Sequence, residues 1–310
     1  MNQYLPEGAL MVSEKNSEFI SSVTGLERAL EEQAIIEAPV ILCDRDFNLH
    51  IEFPAGIRGI ITRGEVAEAR AGEEIKDIAI LTRVGKIVAF KVIGFERRGE
   101  EKIAILSRRL AQRECRINYI STLLPGDIIK SKITHLESFG AFVDIGCGIT
   151  SLLSIDSISV SRIAHPSARL SVSDFIYTVV KSIDESGRIY VSERELLGSW
   201  EQNAALFSEG QTVRGIIRSV ESYGVFVELM PNLAGLAEYR DDVYPGQVAA
   251  VYIKSIIPQK MKIKLIIIDA QDTELGTTPL EYFIDTDSVK HIDSWQYSPK
   301  ESEKKIESIF

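Results

Sequence analysis

Long apolar runs are missing from this sequence. No stretch reaches the roughly 18 consecutive apolar residues that a membrane-spanning helix needs, which argues against a helical membrane protein. The opening residues, MNQYLPEGALMVSEKNSEF, lack both the basic and the apolar region of a secretory leader, so the expected compartment is the cytoplasm, with no membrane partner. Cysteine is scarce. Cys43, Cys115 and Cys147 are odd in number and widely spaced, which suits neither a disulfide framework nor a zinc site, and they read as free thiols. The four histidines, His50, His135, His165 and His291, form no HExxH and have no cysteine at ligand spacing, so no metal or other cofactor is expected. A phosphate loop ending in Gly-Lys-Ser or Gly-Lys-Thr is also absent, as is a GxSxG elbow, and the chain reads as a non-enzyme.

Positive charge is in deficit too, with a formal net charge of -10 over 310 residues. That deficit is local. Residues 1–37 hold two basic and seven acidic side chains and residues 271–310 hold four and nine, so the two ends account for all of it. The middle of the chain is near neutral and has room for basic faces.

What the sequence does have is a repeat. GDIIKSKITHLESFGAFVDI from Gly126 and GQTVRGIIRSVESYGVFVEL from Gly210 align at a constant offset of 84 residues, sharing E-S-[FY]-G-[AV]-F-V-[DE]-[IL]. A weaker copy lies upstream, with Ile51, Glu52 and Gly59 facing Val227, Glu228 and Gly235, and with Asn48 where the others have glycine after the aromatic. Each copy ends in a second β-rich piece that reads as a hairpin: KIVAFKVIGFERRGEEKIAILS, DFIYTVVKSIDESGRIYVS and QVAAVYIKSIIPQKMKIKL. About five short strands in about 70 residues is the size of a small Greek-key barrel of the OB type.

The expected organisation is mainly β: an N-terminal helical, acidic segment over 1–34, a degenerate barrel over 35–112, barrels over 124–196 and 207–270, and an acidic tail over 271–310. Short connector helices are predicted between barrels. A further helix near SSVTGLERALEEQAII is predicted to begin with Thr24 and Glu27 as a capping box.

Strand parity points to a ligand. Alternate residues of a strand face opposite sides. In GVFVEL, Val225, Val227 and Leu229 share the inward parity, leaving Phe226 outward beside Glu228; in GAFVDI, Phe142 lies outward beside Asp144. Tyr223 and Phe139 precede these rings by three residues, and Phe47 and His50 are the first copy's equivalents. Rings on a polar face suit stacking of unpaired bases, which tolerates any sequence. Cations for phosphates would come from Lys130, Lys132, Arg214 and Arg218 on the preceding strands, and from a rim of Arg97, Arg98, Lys102, Arg188, Lys260, Lys262 and Lys264 on the final hairpins.

At these residues the chain resembles the S1 RNA-binding domain family, over about 230 residues from near Ile35 to Asp269. The second copy carries Phe139-Gly140-Ala141-Phe142-Val143 and Asp184-Glu185-Ser186-Gly187-Arg188-Ile189. The resemblance implies an OB-fold whose RNA face is built from two aromatics, a histidine, and an Asp and Arg of the last hairpin. Phe139, Phe142, Asp184 and Arg188 match that set, with Ser154 at the histidine position; the third copy keeps Tyr223 and Phe226 but has Glu238, Pro258 and Lys262 at the other three. A three-barrel chain of this length looks like the shorter S1-type ribosomal proteins of some Gram-positive bacteria. That likeness implies binding of mRNA and contact with the small ribosomal subunit. An accessory RNA-binding subunit in RNA decay and a protein-interaction scaffold remain alternatives.

Overall fold

The computed structural model describes residues 4–68, 75–99, 101–272 and 280–310; the side chains of Ala55 and of the rim candidate Arg98 lie outside the described residues. Helices α1 (Glu14–Ile20) and α2 (Val23–Glu31) come first. The cap of α2 is Ser22 and not Thr24: the Ser22 side chain accepts from the Gly25 N–H at 3.0 Å, and Thr24 lies inside the first turn. The reason is the tight join between the two helices. A Cβ on Gly25 would sit 2.5 Å from the Glu18 carbonyl oxygen, so α2 must begin almost where α1 ends.

Three closed barrels follow. The first holds β1 (Ile35–Cys43), β2 (Leu49–Glu52), β3 (Arg58–Ile61), β4 (Ile87–Arg98) and β5 (Glu101–Ser107), with α3 (Asp77–Leu81) before β4 and α4 (Arg108–Asn118) after β5. The second holds β6 (Ile128–Glu137), β7 (Gly140–Asp144), β8 (Thr150–Ser154), β9 (Phe175–Ile183) and β10 (Ile189–Ser192), with α5 (Ile155–Ile158) after β8. After α6 (Trp200–Ala204), the third holds β11 (Thr212–Glu221), β12 (Gly224–Met230), β13 (Leu233–Ala237), β14 (Val248–Ile257) and β15 (Lys262–Gln271).

Each barrel closes through one parallel pairing, β3 with β5, β8 with β10 and β13 with β15. Closure leaves no free edge for another chain to extend. Bulges in β1 between Val40 and Leu42 and in β11 between Ile217 and Ser219 supply the bend that closure requires. Alternation fills the interiors: Val225 and Val227 of β12 and Ile263, Leu265 and Ile267 of β15 are buried, while Lys262, Lys264 and Ile266 are exposed.

The chain divides into two compact units, one of Met1–Leu123, Lys130–Lys132 and Asp144–Thr150, the other of Leu124–Ile129, Ile133–Val143 and Ser151–Phe310. Between the second and third barrels no continuous helix forms. A short turn over Arg194–Leu197 stops at Gly198, whose φ of 80° a side chain would strain, and α6 restarts on a Ser199–Gln202 capping box. Residues 280–310 are anchored point by point on the second unit. β16 (Ser294–Gln296) pairs with β17 (Glu307–Ile309), and Trp295 and Tyr297 are buried in the third barrel's core cluster. Among the described residues, no helix is long and apolar enough to cross a membrane.

Candidate nucleic-acid interface

The repeated motif builds the same object twice. Phe139 and Phe142 meet edge to face with centroids 6.0 Å apart at 87°, and Tyr223 and Phe226 do so at 6.1 Å and 87°. In each pair the first ring is well exposed, 53% for Phe139 and 67% for Tyr223, and the second is half-buried against the barrel. The glycine between them makes this possible. A Cβ on Gly140 would stand 2.4 Å from the Leu153 carbonyl oxygen, and one on Gly224 would stand 2.5 Å from that of Ala237. Only glycine lets the turn press onto β8 or β13 and leave both rings on one outer face.

On the third barrel the rings border a groove of about 790 Å³. Register explains its other wall: Phe226 pairs with Leu236 on β13, and Leu236 pairs with Lys264 on β15, so ring and ammonium lie two strands apart, about 10 Å at ordinary strand spacing. Lys254, Lys260, Lys262, Lys264 and Lys304 line the groove, against the single carboxylate of Glu238. All five lysines are exposed.

The second barrel differs in composition. At Lys264's equivalent in the β8–β10 pairing stands Tyr190, opposite Leu152, with its hydroxyl donating to Asp184 Oδ2 at 3.4 Å. His135 stacks on Phe142 at 6.4 Å and 21°, held by Glu137 at 2.8 Å. Asp184 shapes the hairpin turn: its Oδ1 accepts from the Ser186 and Arg188 N–H groups and the Ser186 hydroxyl, and these bonds hold its carboxyl below the usual range. Arg188 is exposed beside it. Lys130 and Lys132 on β6 are half-buried, and Lys132 Nζ donates to the Glu7 carbonyl at 2.7 Å.

Other sequence-predicted residues are placed differently. Glu228 and Asp144 keep their outward parity but are buried, because neighbouring segments cover them. Glu228 accepts from Arg169 at 2.9 and 2.6 Å and from Arg218 at 2.9 Å twice, so the Arg218 guanidinium is occupied by a carboxylate. Arg214 is exposed on the same strand.

Among the described residues, the ring pair of the first barrel is Phe53 with Phe90, buried in the core, and no exposed pair matches those of the other two. Phe47 takes a left-handed φ of 62°, leans on the first core cluster and lies under the Arg63 guanidinium at 4.8 Å. His50 Nε2 is bonded to Asp44 Oδ2 at 2.9 Å; together with the Asn48 N–H, this histidine holds the Asp44 carboxyl well below the usual range. The row that continues from His50 is Ile60 and Ile105, with no cation in it.

Four further residues join these faces. Lys254 sits on its strand at outward parity and was legible in principle; His135 shares the parity of the buried Ser131 and Ile133 and is nonetheless exposed, so alternation alone would have placed it inside, and Tyr190 required the β8–β10 register. Lys304 could not have been found from the repeat, since it lies outside it.

The family described as S1 RNA binding domain matches residues 123–194. The small ribosomal subunit protein bS1 of Staphylococcus saprophyticus is 26% identical over 298 residues, 91% of this chain and 71% of that protein. A bS1 homologue of Bacillus cereus is 28% identical over 255 residues, covering 79% and 62%, and bS1 of Staphylococcus aureus is 25% identical over 296 residues, covering 90% and 71%. The chain thus spans roughly two thirds of the length of these relatives. Residues 123–194 thus match the family described as S1 RNA binding domain, and most of the chain is similar to bS1 proteins of Staphylococcus and Bacillus.

Proposed function

We propose that this chain is a non-enzymatic protein that grips single-stranded RNA through its second and third barrels and acts in translation with the small ribosomal subunit. The observation that carries this is the third barrel's groove: on a chain of net charge -10, five lysines face one carboxylate beside the Tyr223–Phe226 pair. Lysines contact phosphates without reading sequence, and rings stack on whichever bases are splayed, so together they favour an unpaired strand over a duplex. The second barrel adds Phe139, Phe142, His135, Tyr190 and Arg188. Arg218 is left out of the interface because the buried Glu228 takes its guanidinium, and Phe47 and His50 because Phe47 leans on the core and the row beside His50 carries no cation.

The test is fluorescence anisotropy of the full chain with a labelled uridine-rich oligoribonucleotide and with an RNA duplex, across a salt series. Tight, steeply salt-dependent binding to the single strand alone is expected. Equal affinity for both, or none for either, would refute the reading. Co-sedimentation with purified small subunits tests the ribosomal part. Incubation of labelled RNA with divalent cation should leave it intact.

A further inference from the structure

The loop over residues 297–306 supplies one wall of the third barrel's groove through Tyr297, Lys304 and Ile306, and we infer that it makes the groove a channel in which Lys304 contacts the phosphate backbone of a single-stranded RNA. The inference rests on the RNA-binding reading and adds to it an element outside the repeat.

The segment that carries this loop, residues 280–310, is held at both ends of its course. Tyr282 donates its hydroxyl to Glu193 at 2.9 Å, Phe283 packs where a Cβ on Gly198 would be only 2.7 Å away, and His291 is paired with Asp127 at 2.7 Å. Further on, the Tyr297 hydroxyl donates to the Asn232 carbonyl at 2.6 Å, and the Tyr297 carbonyl accepts from the Trp200 N–H at 3.0 Å. Asn232 is itself fully buried and fixed, its amide donating to the carbonyls of Arg194 and Gly198 and accepting from the Val160 N–H.

The loop that leaves Tyr297 and returns at Ile306 is closed by the Ile306 N–H donating to the Ser298 hydroxyl at 2.7 Å. Of the three lysines in it, Lys305 turns back to the Lys300 carbonyl at 2.7 Å, Lys300 does not line the groove, and Lys304 does. Tyr297 and Ile306 line it with Lys304. A cation delivered by an already ordered loop contributes its phosphate contact with little ordering cost on binding. Its ligand is a phosphodiester oxygen: a lysine ammonium is a compact point charge suited to an anionic oxygen, and a uridine-rich strand offers no guanine edge to compete for it.

The experiment compares Lys304→Ala, Lys304→Arg, Lys300→Ala and Phe226→Ala in the full chain, by anisotropy with a uridine-rich oligoribonucleotide over a salt series, after circular dichroism has established that each is folded. Lys304→Ala should weaken binding and reduce the slope of log K against log salt by about 0.7, the value of one phosphate contact on a single strand. Lys304→Arg should restore the slope, and Lys300→Ala should leave it unchanged. If the unaltered chain fails to bind, the RNA reading itself falls. If it binds and Phe226→Ala weakens it while Lys304→Ala does not, or if Lys300→Ala costs as much as Lys304→Ala, only the channel wall is overturned.

Discussion

Arg169, ahead of β9 in the second barrel, and Glu228, on β12 of the third, form a two-point ion pair at 2.9 and 2.6 Å with side chains only 3% and 5% exposed. The same carboxylate takes Arg218, so one buried acid serves two guanidiniums. Burial, with the neighbouring Arg218 charge, depresses the Arg169 pKa, and the Glu228 charge and hydrogen bonds oppose that. A buried pair of this kind fixes geometry more than it stabilises, but removing one partner strands the other charge.

Glu228→Gln should therefore destabilise the third barrel by about 3 to 5 kcal/mol. The chain's two tryptophans, Trp200 and Trp295, both lie in that barrel's core cluster, so tryptophan fluorescence during urea unfolding reports on it selectively. An unshifted midpoint would show that the triad carries no such burden. RNA affinity per folded molecule should not change.

Ring and lysine variants of the proposed RNA-binding faces should respond differently to salt. Phe142→Ala and Phe226→Ala each remove a stacking platform and should weaken binding by about 1 to 3 kcal/mol with little change in salt slope. Lys262→Ala combined with Lys264→Ala should lower the slope by about 1.4, two contacts at about 0.7 each. Ring variants that flatten the slope as much as the lysine pair would mean that stacking and phosphate contact are not separable here.

Most of the fold was legible in the sequence because closed barrels rest on period-2 alternation, and Val225, Val227 and Leu265 stand where that alternation puts them. The ring pairs were legible for the same reason. Parity tells which side of a strand a residue takes, but not what covers that side. Glu228 and Asp144 face outward and are nonetheless buried, under segments whose approach is a tertiary matter. Arg218 likewise matched a phosphate-binding cation at the level of residue type, and only the packing of Arg169 and Glu228 around it shows its engagement. The segment after residue 280 has only two three-residue strands, too short for a period to stand out, and its other anchors, Tyr282 and Phe283, are held singly.

Gly224→Ala tests whether the motif glycine sets the ring pair. Its φ of 152° and the Ala237 carbonyl 2.5 Å from any Cβ leave no room, so the turn must lift from β13. The expected loss is about 1 to 3 kcal/mol in stability, in the range of strained backbone substitutions. RNA affinity of the folded fraction should also fall as Tyr223 and Phe226 separate. Retained affinity with lost stability would place the glycine's role in folding alone.

The first unit should lose stability as pH rises through neutrality. Burial pushes Glu37 up to about 7 against the opposing bonds from the Gly8 and Leu10 N–H groups, at 3.0 and 2.9 Å. Burial and then the Glu7 charge push Asp144 up to about 7, although it accepts from the Glu7 N–H at 2.7 Å and faces Arg108. Both acids bind a proton more tightly folded than unfolded. Their contribution is thus complete below the ordinary carboxylate range and is lost as pH climbs from there through about 7. Glu7, Arg83 and Arg108 share this buried cluster, and Arg108 Nε donates to Glu7 at 2.6 Å, so the segment near Glu7 is where release should be felt first. Hydrogen exchange at Gly8 and Leu10, corrected for intrinsic rate, should show less protection at pH 8 than at pH 5.5. In Glu37→Gln the difference should shrink. Protection unchanged between pH 5.5 and pH 8 would mean that Arg108 and the backbone donors outweigh desolvation, and that both acids stay ionised throughout.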